Sequence, residues 1–318
     1  MGALGRTLTH FSHSMISVVI CTHNPREDYL QRVLSALKEQ TLPKTEWELL
    51  LVDNASNIQL TGKWDLSWHP SSRIIREDQL GLTAARLRAI EEAQGNLLVF
   101  VDDDCELKSD YIEKTYEIEN NHKNIGIWSG QCHPVYEIAP PAWLLPYRNF
   151  LCAREFNENK WSNIPTNEDS MPWGAGLSVR KIVARQYKKT VSNCKIALSL
   201  GRKGKNLYAC EDIDIVFTSI ELNLGFGIFS CLELNHLIPK QRIQIEYICR
   251  AIEGHAYSWN ILCARRGRRK NIVKIKPLRK LLGRIKRRIF MDKITRAIFE
   301  AKIDGEQKAI TDLNKWFQ

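Results

Sequence analysis

The chain has 318 residues, 44% of them hydrophobic and 26% charged, which suffices for a substantial core and excludes a disordered or fibrous protein. Its net charge of +10 is not spread like that of a nucleic-acid-binding protein: 13 Lys or Arg and no acid lie between Arg265 and Arg288, and the remainder sums to −3. The longest apolar runs, Ile16–Cys21 and Leu97–Val101, fall far short of the roughly 20 residues of a bilayer-crossing helix, and no signal-peptide core precedes them, so a cytoplasmic location is expected.

Residues 1–14 read as an irregular extension, and Met15 is an alternative start to Met1. Ile16-Ser-Val-Val-Ile-Cys is a β-branched run ending in Thr22-His-Asn-Pro, a buried strand entering a loop. Tyr29, Leu30, Val33, Leu34 and Leu37 repeat at helical spacing before Pro43. Leu49-Leu-Leu-Val then runs into Asp53-Asn-Ala-Ser, and a short strand near Arg73–Arg76 precedes a helix from Thr83 to Gln94 and the strand Leu97–Val101. This alternation predicts a parallel α/β sheet with right-handed crossovers. Ligands in such sheets collect beyond the carboxyl ends of the strands, where Asn24, Asp53 and Asp102–Asp104 fall.

The segment Trp128–Arg180 is rich in Trp, Pro and Asn and reads as loop-heavy, with Trp173-Gly-Ala-Gly marking a close backbone approach. A helical stretch with Glu211-Asp-Ile-Asp follows, then the apolar run Phe226–Cys231, then His236 and Pro239. Beyond Arg265, Leu278, Leu281, Leu282, Ile285 and Ile289 share one helical face and basic residues cover the rest. That pattern predicts a basic amphipathic helix on an anionic membrane surface through 265–290; the competing reading packs it on the domain. Nine cysteines without a C-x-x-C pair argue for reduced thiols over a disulfide framework or zinc ribbon.

Strand alternation places Asp102 and Asp104 on one side and Asp103 on the other. Two converging carboxylates call for a cation, and oxygen ligands suit Mg²⁺ or Mn²⁺. A solvated acidic turn is the structural alternative.

Thr22-His-Asn-Pro-Arg, Val52-Asp-Asn-Ala-Ser, Gly81-Leu-Thr-Ala-Ala-Arg and Val101-Asp-Asp-Asp, in this order, resemble the nucleotide-binding half of glycosyltransferase family 2. Trp173-Gly-Ala-Gly-Leu-Ser-Val-Arg resembles that family's glycine-containing sugar and acceptor segment, and Glu211-Asp212 its acidic catalytic motif. The resemblance spans about residues 15–245. It implies a GT-A fold with a mostly parallel central sheet and flanking helices, to which this chain adds a basic helical C-terminal extension. The implied organisation is a nucleotide-sugar half at 15–127, an acceptor and catalytic half at 128–245, and a tail at 246–318.

The activity so implied is metal-dependent inverting transfer of a sugar from a nucleotide-diphospho-sugar, UDP-linked, to a glycan or lipid-linked acceptor. By the same resemblance Asp53 hydrogen-bonds the base with Thr22 and Asn24 shaping its pocket, Asp102 sits near ribose and metal, and Asp104 ligates Mn²⁺ or Mg²⁺. Gly174, Ala175 and Gly176 lie against the sugar, Asp212 is the base, and Glu211 supports it. Asp103 is left as loop support. Arg86, followed by Leu87 where the family has Asn, either faces the nucleotide or pairs with a neighbouring acid. His236 is a further metal ligand or a structural histidine, with Arg242 the other candidate for the diphosphate.

A dinucleotide oxidoreductase is excluded by the absence of G-x-G-x-x-G after the first strand. A metal-dependent nuclease using the basic tail is the remaining alternative; leucines at helical spacing, which a phosphate-tracking arm does not need, argue against it and against a nucleic-acid partner. A membrane-facing tail implies a peripheral location on the cytoplasmic face.

Overall fold

A computed structural model describes residues 15–268, 288 and 290–316; the expected extension 1–14 and nearly all of the basic amphipathic stretch lie outside the described residues. Strands β1 (Ile16–Thr22), β2 (Trp47–Asn54), β3 (Ser72–Glu77) and β4 (Leu97–Asp102) pair in parallel in the order β3-β2-β1-β4. Helices α1 (Glu27–Lys38) and α2 (Leu82–Glu92) make two of the connections. β1 and β2 are apolar along nearly their whole length because both faces of the sheet are covered. Val18 and Ile20 pack towards Leu30, Val33 and Leu37 of α1, whereas Val19 packs on the opposite layer with Ala85, Ala89 and Ile90 of α2.

Register then puts the polar strand ends in one row. Thr22 pairs with Asp53, and Cys21 pairs with both Val52 and Asp102. Chain motifs far apart in sequence thus meet at one edge because parallel strands of matched length end together.

The second half completes a mixed sheet. Strand β5 (Cys105–Leu107) precedes helix α3 (Tyr111–Asn121) and the long β6 (Ile125–Tyr136); β7 (Lys160–Ser162), β8 (Leu177–Arg180) and β9 (Gly225–Ile238) follow. β8 inserts antiparallel to β4 and β6, β6 and β9 are parallel, and β5 and β7 lie antiparallel to β9. The parallel arrangement read from the sequence is therefore carried by β1–β4, with β6 and β9 a further parallel pair. The supposedly loop-heavy middle contains β6, a 3-10 helix at Ala142–Leu151, and β8. β6 escaped the pattern because its pairing with β9 shifts register twice, breaking strict alternation.

Helices α4 (Lys181–Val191) and α5 (Glu211–Glu221) complete the α2 layer. Helices α6 (Ile245–Arg265) and α7 (Lys293–Trp316) occupy the stretch expected as a tail, and both pack on the body. Ile248, Ile252 and Ile298 join Leu144, Leu151 and Ile238 in one cluster, and Tyr257, Ile261, Ala309 and Leu313 join Leu200 and Phe217 in another. Gly305 lets the two helices approach: a Cβ there would lie 2.2 Å from the Glu253 carbonyl oxygen. Buried Asp214 of α5 accepts from Arg265 and Arg266, tying the end of α6 to the helix that carries Asp212. Among the described residues, no helix is long and apolar enough to cross a membrane.

Candidate active site

A cleft of about 400 Å³ opens over the carboxyl ends of β1 and β4, lined among others by Thr22, Arg86, Asp102, Asp103, Asp104, Gly174, Ala175, Glu211, Asp212, His236 and Arg242. The three aspartates do not continue as a strand. β4 ends at Asp102, Asp103 and Asp104 form a turn, and β5 resumes at Cys105. Strict alternation therefore stops at Asp102, and all three residues reach the cleft with different partners.

Asp102 faces Arg86 at 3.8 Å. Burial pushes its carboxyl up, opposed by Arg86 and reinforced by Asp104. Asp103 accepts from the Thr22 hydroxyl across the β1–β4 edge, and burial together with Asp104 pushes it up to about 7. Asp104 is buried; desolvation opposes its charge, but Arg242, 2.7 Å away, leads the interactions that hold its carboxyl far below the usual range. The turn concentrates the ionised charge on Asp104.

His236 reaches Asp104 through sheet register, since β9 places it opposite Cys105. Its Nδ1 lies 2.9 Å from the Leu151 carbonyl oxygen, which can only accept, so Nδ1 carries the proton and Nε2 presents a lone pair. Nε2 lies 3.4 Å from Asp104 Oδ2, and ligand atoms of Asp104, Cys105 and His236 all fall within 4.8 Å of one another. Burial and Asp104 push the Cys105 thiol well up. A carboxylate oxygen and a fixed imidazole lone pair, both buried, fit a divalent cation of the Mn²⁺ type. Arg242 donates to the same two atoms, 2.7 Å from Asp104 and 3.1 Å from His236, so cation and guanidinium address one pair of acceptors.

Of the two roles left open by the sequence, Arg86 takes the pairing with neighbouring acids, and it does so at the cleft wall. Its side chain is only 2% exposed, yet it lines the cleft, lies 3.2 Å from Glu211, donates to the Gly174 carbonyl and stacks over Phe100. Burial opposes its charge, and Glu211 and Asp102 more than restore it. Glu211 and Asp212 open α5, where the helix N-terminus favours acids. Burial pushes both carboxyls up; for Asp212, Arg86 and the Ile213 and Gly174 amides pull the other way. Asp212 thus faces Gly174 at the cleft wall, and Glu211 is the acid that anchors Arg86.

Three residues proposed for nucleotide or sugar contact sit differently. Asp53 is buried in its own loop, accepting from the Ser56 and Leu60 amides and from Arg76 at 2.8 Å; burial raises its carboxyl, and these donors carry it below the usual range. Asn24, at φ 49°, accepts from the Asn57 amide and its own amide donates to the Ser56 hydroxyl, stitching the β1 and β2 loops. His23 and Asn54 line the cleft at this point. Gly176, at φ 66°, packs beneath the cleft, where Tyr111 donates to its carbonyl at 2.7 Å and an added Cβ would lie 2.4 Å from the phenol oxygen. Gly176→Ala is expected to cost about 2–4 kcal/mol, read as a lower urea midpoint; an unchanged midpoint would remove this structural role.

Arg202 also lines the cleft, opposite the aspartates, donating to the Tyr247 hydroxyl at 3.3 Å. It belongs to Gly201-Arg-Lys-Gly-Lys, a glycine-spaced basic loop whose composition is a signal visible in the sequence. Leu80, Leu207 and Tyr208 supply the apolar part of the same wall.

The glycosyl transferase family 2 model matches residues 17–168. Glycosyltransferase AglE of Haloferax volcanii is 32% identical over 102 residues, covering 31% of this chain and 33% of that protein. The putative teichuronic acid biosynthesis glycosyltransferase TuaG of Bacillus subtilis is 31% identical over 109 residues, covering 32% of this chain and 41% of that protein. The chain thus spans well under half the length of either relative. The crystal structure of S. aureus TarS 1–349 superposes with a TM-score of 0.52 at 16% identity, covering 95% of this chain and 91% of that one, so the likeness of fold extends past the matched segment to Asp212 and His236. Residues 17–168 of this chain thus resemble glycosyl transferase family 2, and the curated relatives that match over about a third of the chain are named as glycosyltransferases.

Proposed function

We propose that the chain is an inverting glycosyltransferase that moves a sugar from a nucleotide-diphospho-sugar, UDP-linked, to a hydroxyl of a glycan or lipid-linked acceptor in surface glycan synthesis. The observation that carries this reading is convergence: one cleft combines the ionised Asp104, the His236 lone pair, the cations Arg86, Arg202 and Arg242, and a carboxylate, Asp212, at a helix N-terminus. Structural neighbours of similar fold, solved as TarS complexes with UDP and with UDP-GlcNAc, support the donor class, and the Bacillus relative's teichuronic acid role supports the cell-surface context.

In this reading Asp212 accepts the proton of the acceptor hydroxyl as its oxygen bonds to the anomeric carbon and the bond to the diphosphate breaks. Arg202 and Arg242 flank the cleft where a departing diphosphate gathers charge. Asp104 and His236 would hold a divalent cation, which supplies further stabilisation of that leaving charge when bound. Arg86 holds Glu211 and Asp102 in place. His23 and Asn54, from the cleft floor, are better placed for the base than Asp53. The organisation 15–127, 128–245 and 246–318, and a peripheral position on the cytoplasmic face of an anionic membrane through 265–290, complete the proposal.

The test is calorimetric titration with a panel of nucleotide-sugars, with and without Mn²⁺. Binding of at least one donor, strengthened by the ion in the native protein and independent of it in Asp104→Ala, is the expected result. Absence of binding by every donor would refute the reading.

A further inference from the structure

A second cavity, of about 390 Å³, adjoins the first and has a different chemistry. Gly174 and Asp212 line the first cleft, and their chain neighbours Trp173 and Ile213 line the second. The two spaces therefore lie on either side of the segments that carry Gly174 and the proposed base. The far side is built by α6 and α7, with His255 and Trp259 from one and Lys302 and Glu306 from the other.

The lining is aromatic with a polar margin. Trp173 is held by Arg154, which stacks over its ring at 4.8 Å and donates to the Met171 and Asp169 carbonyls at 2.6 Å. Phe150 packs edge-on against His255, with centroids 5.8 Å apart and planes at 86°. Burial keeps the His255 imidazole below its ordinary pKa, so at neutral pH it offers one donor and one acceptor without charge. Lys302 adds a cation, Glu306 and Glu168 add carboxylates, and no cluster of guanidinium groups is among the lining residues. A phosphate or nucleotide needs concentrated positive charge, which this cavity lacks and the first cleft has. A neutral ring with an apolar face and a rim of hydroxyls matches it: the flat C–H face rests on indole, and the hydroxyls meet mixed donors and acceptors.

We infer that this second cavity binds a neutral saccharide ring of the acceptor, adjacent to the unit whose hydroxyl reaches Asp212. The inference rests on the transferase reading for the word acceptor; the saccharide chemistry rests on the lining alone. It also gives α7 a purpose beyond packing, since Lys302 and Glu306 place that helix in the wall of a binding site.

The experiment follows the indole N–H resonances of the full-length protein by NMR, identifying Trp173 and Trp259 from Trp173→Phe and Trp259→Phe. The probes are methyl glycosides of glucose, galactose and N-acetylglucosamine. At least one is expected to shift both resonances saturably, and His255→Ala and Lys302→Ala are each expected to weaken that binding about fivefold. No saturable shift with any probe, or undiminished affinity in both variants, overturns the inference. UDP is titrated in parallel into the unmodified protein with Mn²⁺. UDP binding without glycoside binding sinks the saccharide site and leaves the transferase reading standing. Glycoside binding with no nucleotide or nucleotide-sugar binding removes the acceptor role together with the transferase reading.

Discussion

Asp212→Asn is expected to lower sugar transfer by about 10²–10⁴-fold, the range of positioned general-base catalysis, while nucleotide-sugar affinity measured by calorimetry stays close to that of the native protein. The exchange keeps the shape at the start of α5 and removes only the ability to take a proton. Asp212 has no contact with Asp104 or His236 among its hydrogen-bond partners, which are the Ile213 and Gly174 amides, so the cation site is untouched. Normal transfer by the asparagine variant would move the base to another residue. The pH profile gives a second check. Burial raises the Asp212 pKa above its ordinary 3.8, and the ionised form is the one that accepts the proton. Activity should therefore be full above the raised pKa and fall as pH drops through it, with the acid limb displaced upward from that of an exposed aspartate. An acid limb at or below the ordinary value would contradict the environment described for this carboxylate.

Arg86→Met is expected to be the most destabilising single change at the site, costing about 3–5 kcal/mol, because it leaves buried Glu211, and Asp102 at the cleft surface, without their cation. Arg86 lies 3.2 Å from Glu211 and 3.8 Å from Asp102, and methionine fills similar volume without charge. The penalty should depend on pH with a definite sign. Without the guanidinium, the Glu211 and Asp102 carboxyls, already raised by burial, rise further. A carboxyl whose folded pKa exceeds its unfolded one costs no stability below the unfolded value and costs progressively more as pH rises to the folded value. Urea midpoints of native and variant protein should accordingly lie closer at pH 5 than at pH 8. A variant as stable as the native protein at pH 8 would show that Arg86 is not the counter-ion of this cluster.

Much of the fold was legible because it depends on local patterns. β1, α1, β2, α2 and β4 each carry their own period, and matched strand lengths bring Thr22, Asp53 and Asp102 to one edge. Position along an edge is not orientation, however. Asp53 falls in the expected row, but the loop after it supplies two amides and β3 supplies Arg76 to its carboxylate, turning it away from the cleft. Nothing local in Val52-Asp-Asn-Ala-Ser distinguishes a side chain that greets a ligand from one that braces its own turn.

The sequence by itself determined the alternation that yields the parallel half of the sheet, the acids at the strand ends, and the paired carboxylates opening a helix at Glu211. Those features follow from short-range periodicity and from the few residue types that terminate strands and helices. Only the tertiary structure decided which of these residues meet. The antiparallel β5–β9 register sets His236 against Asp104, the turn at Asp103 gives three adjacent aspartates three different partners, and Arg86 is buried between acids from β4 and α5. Each is a contact between segments far apart in the chain, fixed by sheet pairing and helix packing, and no window of sequence contains both sides of it.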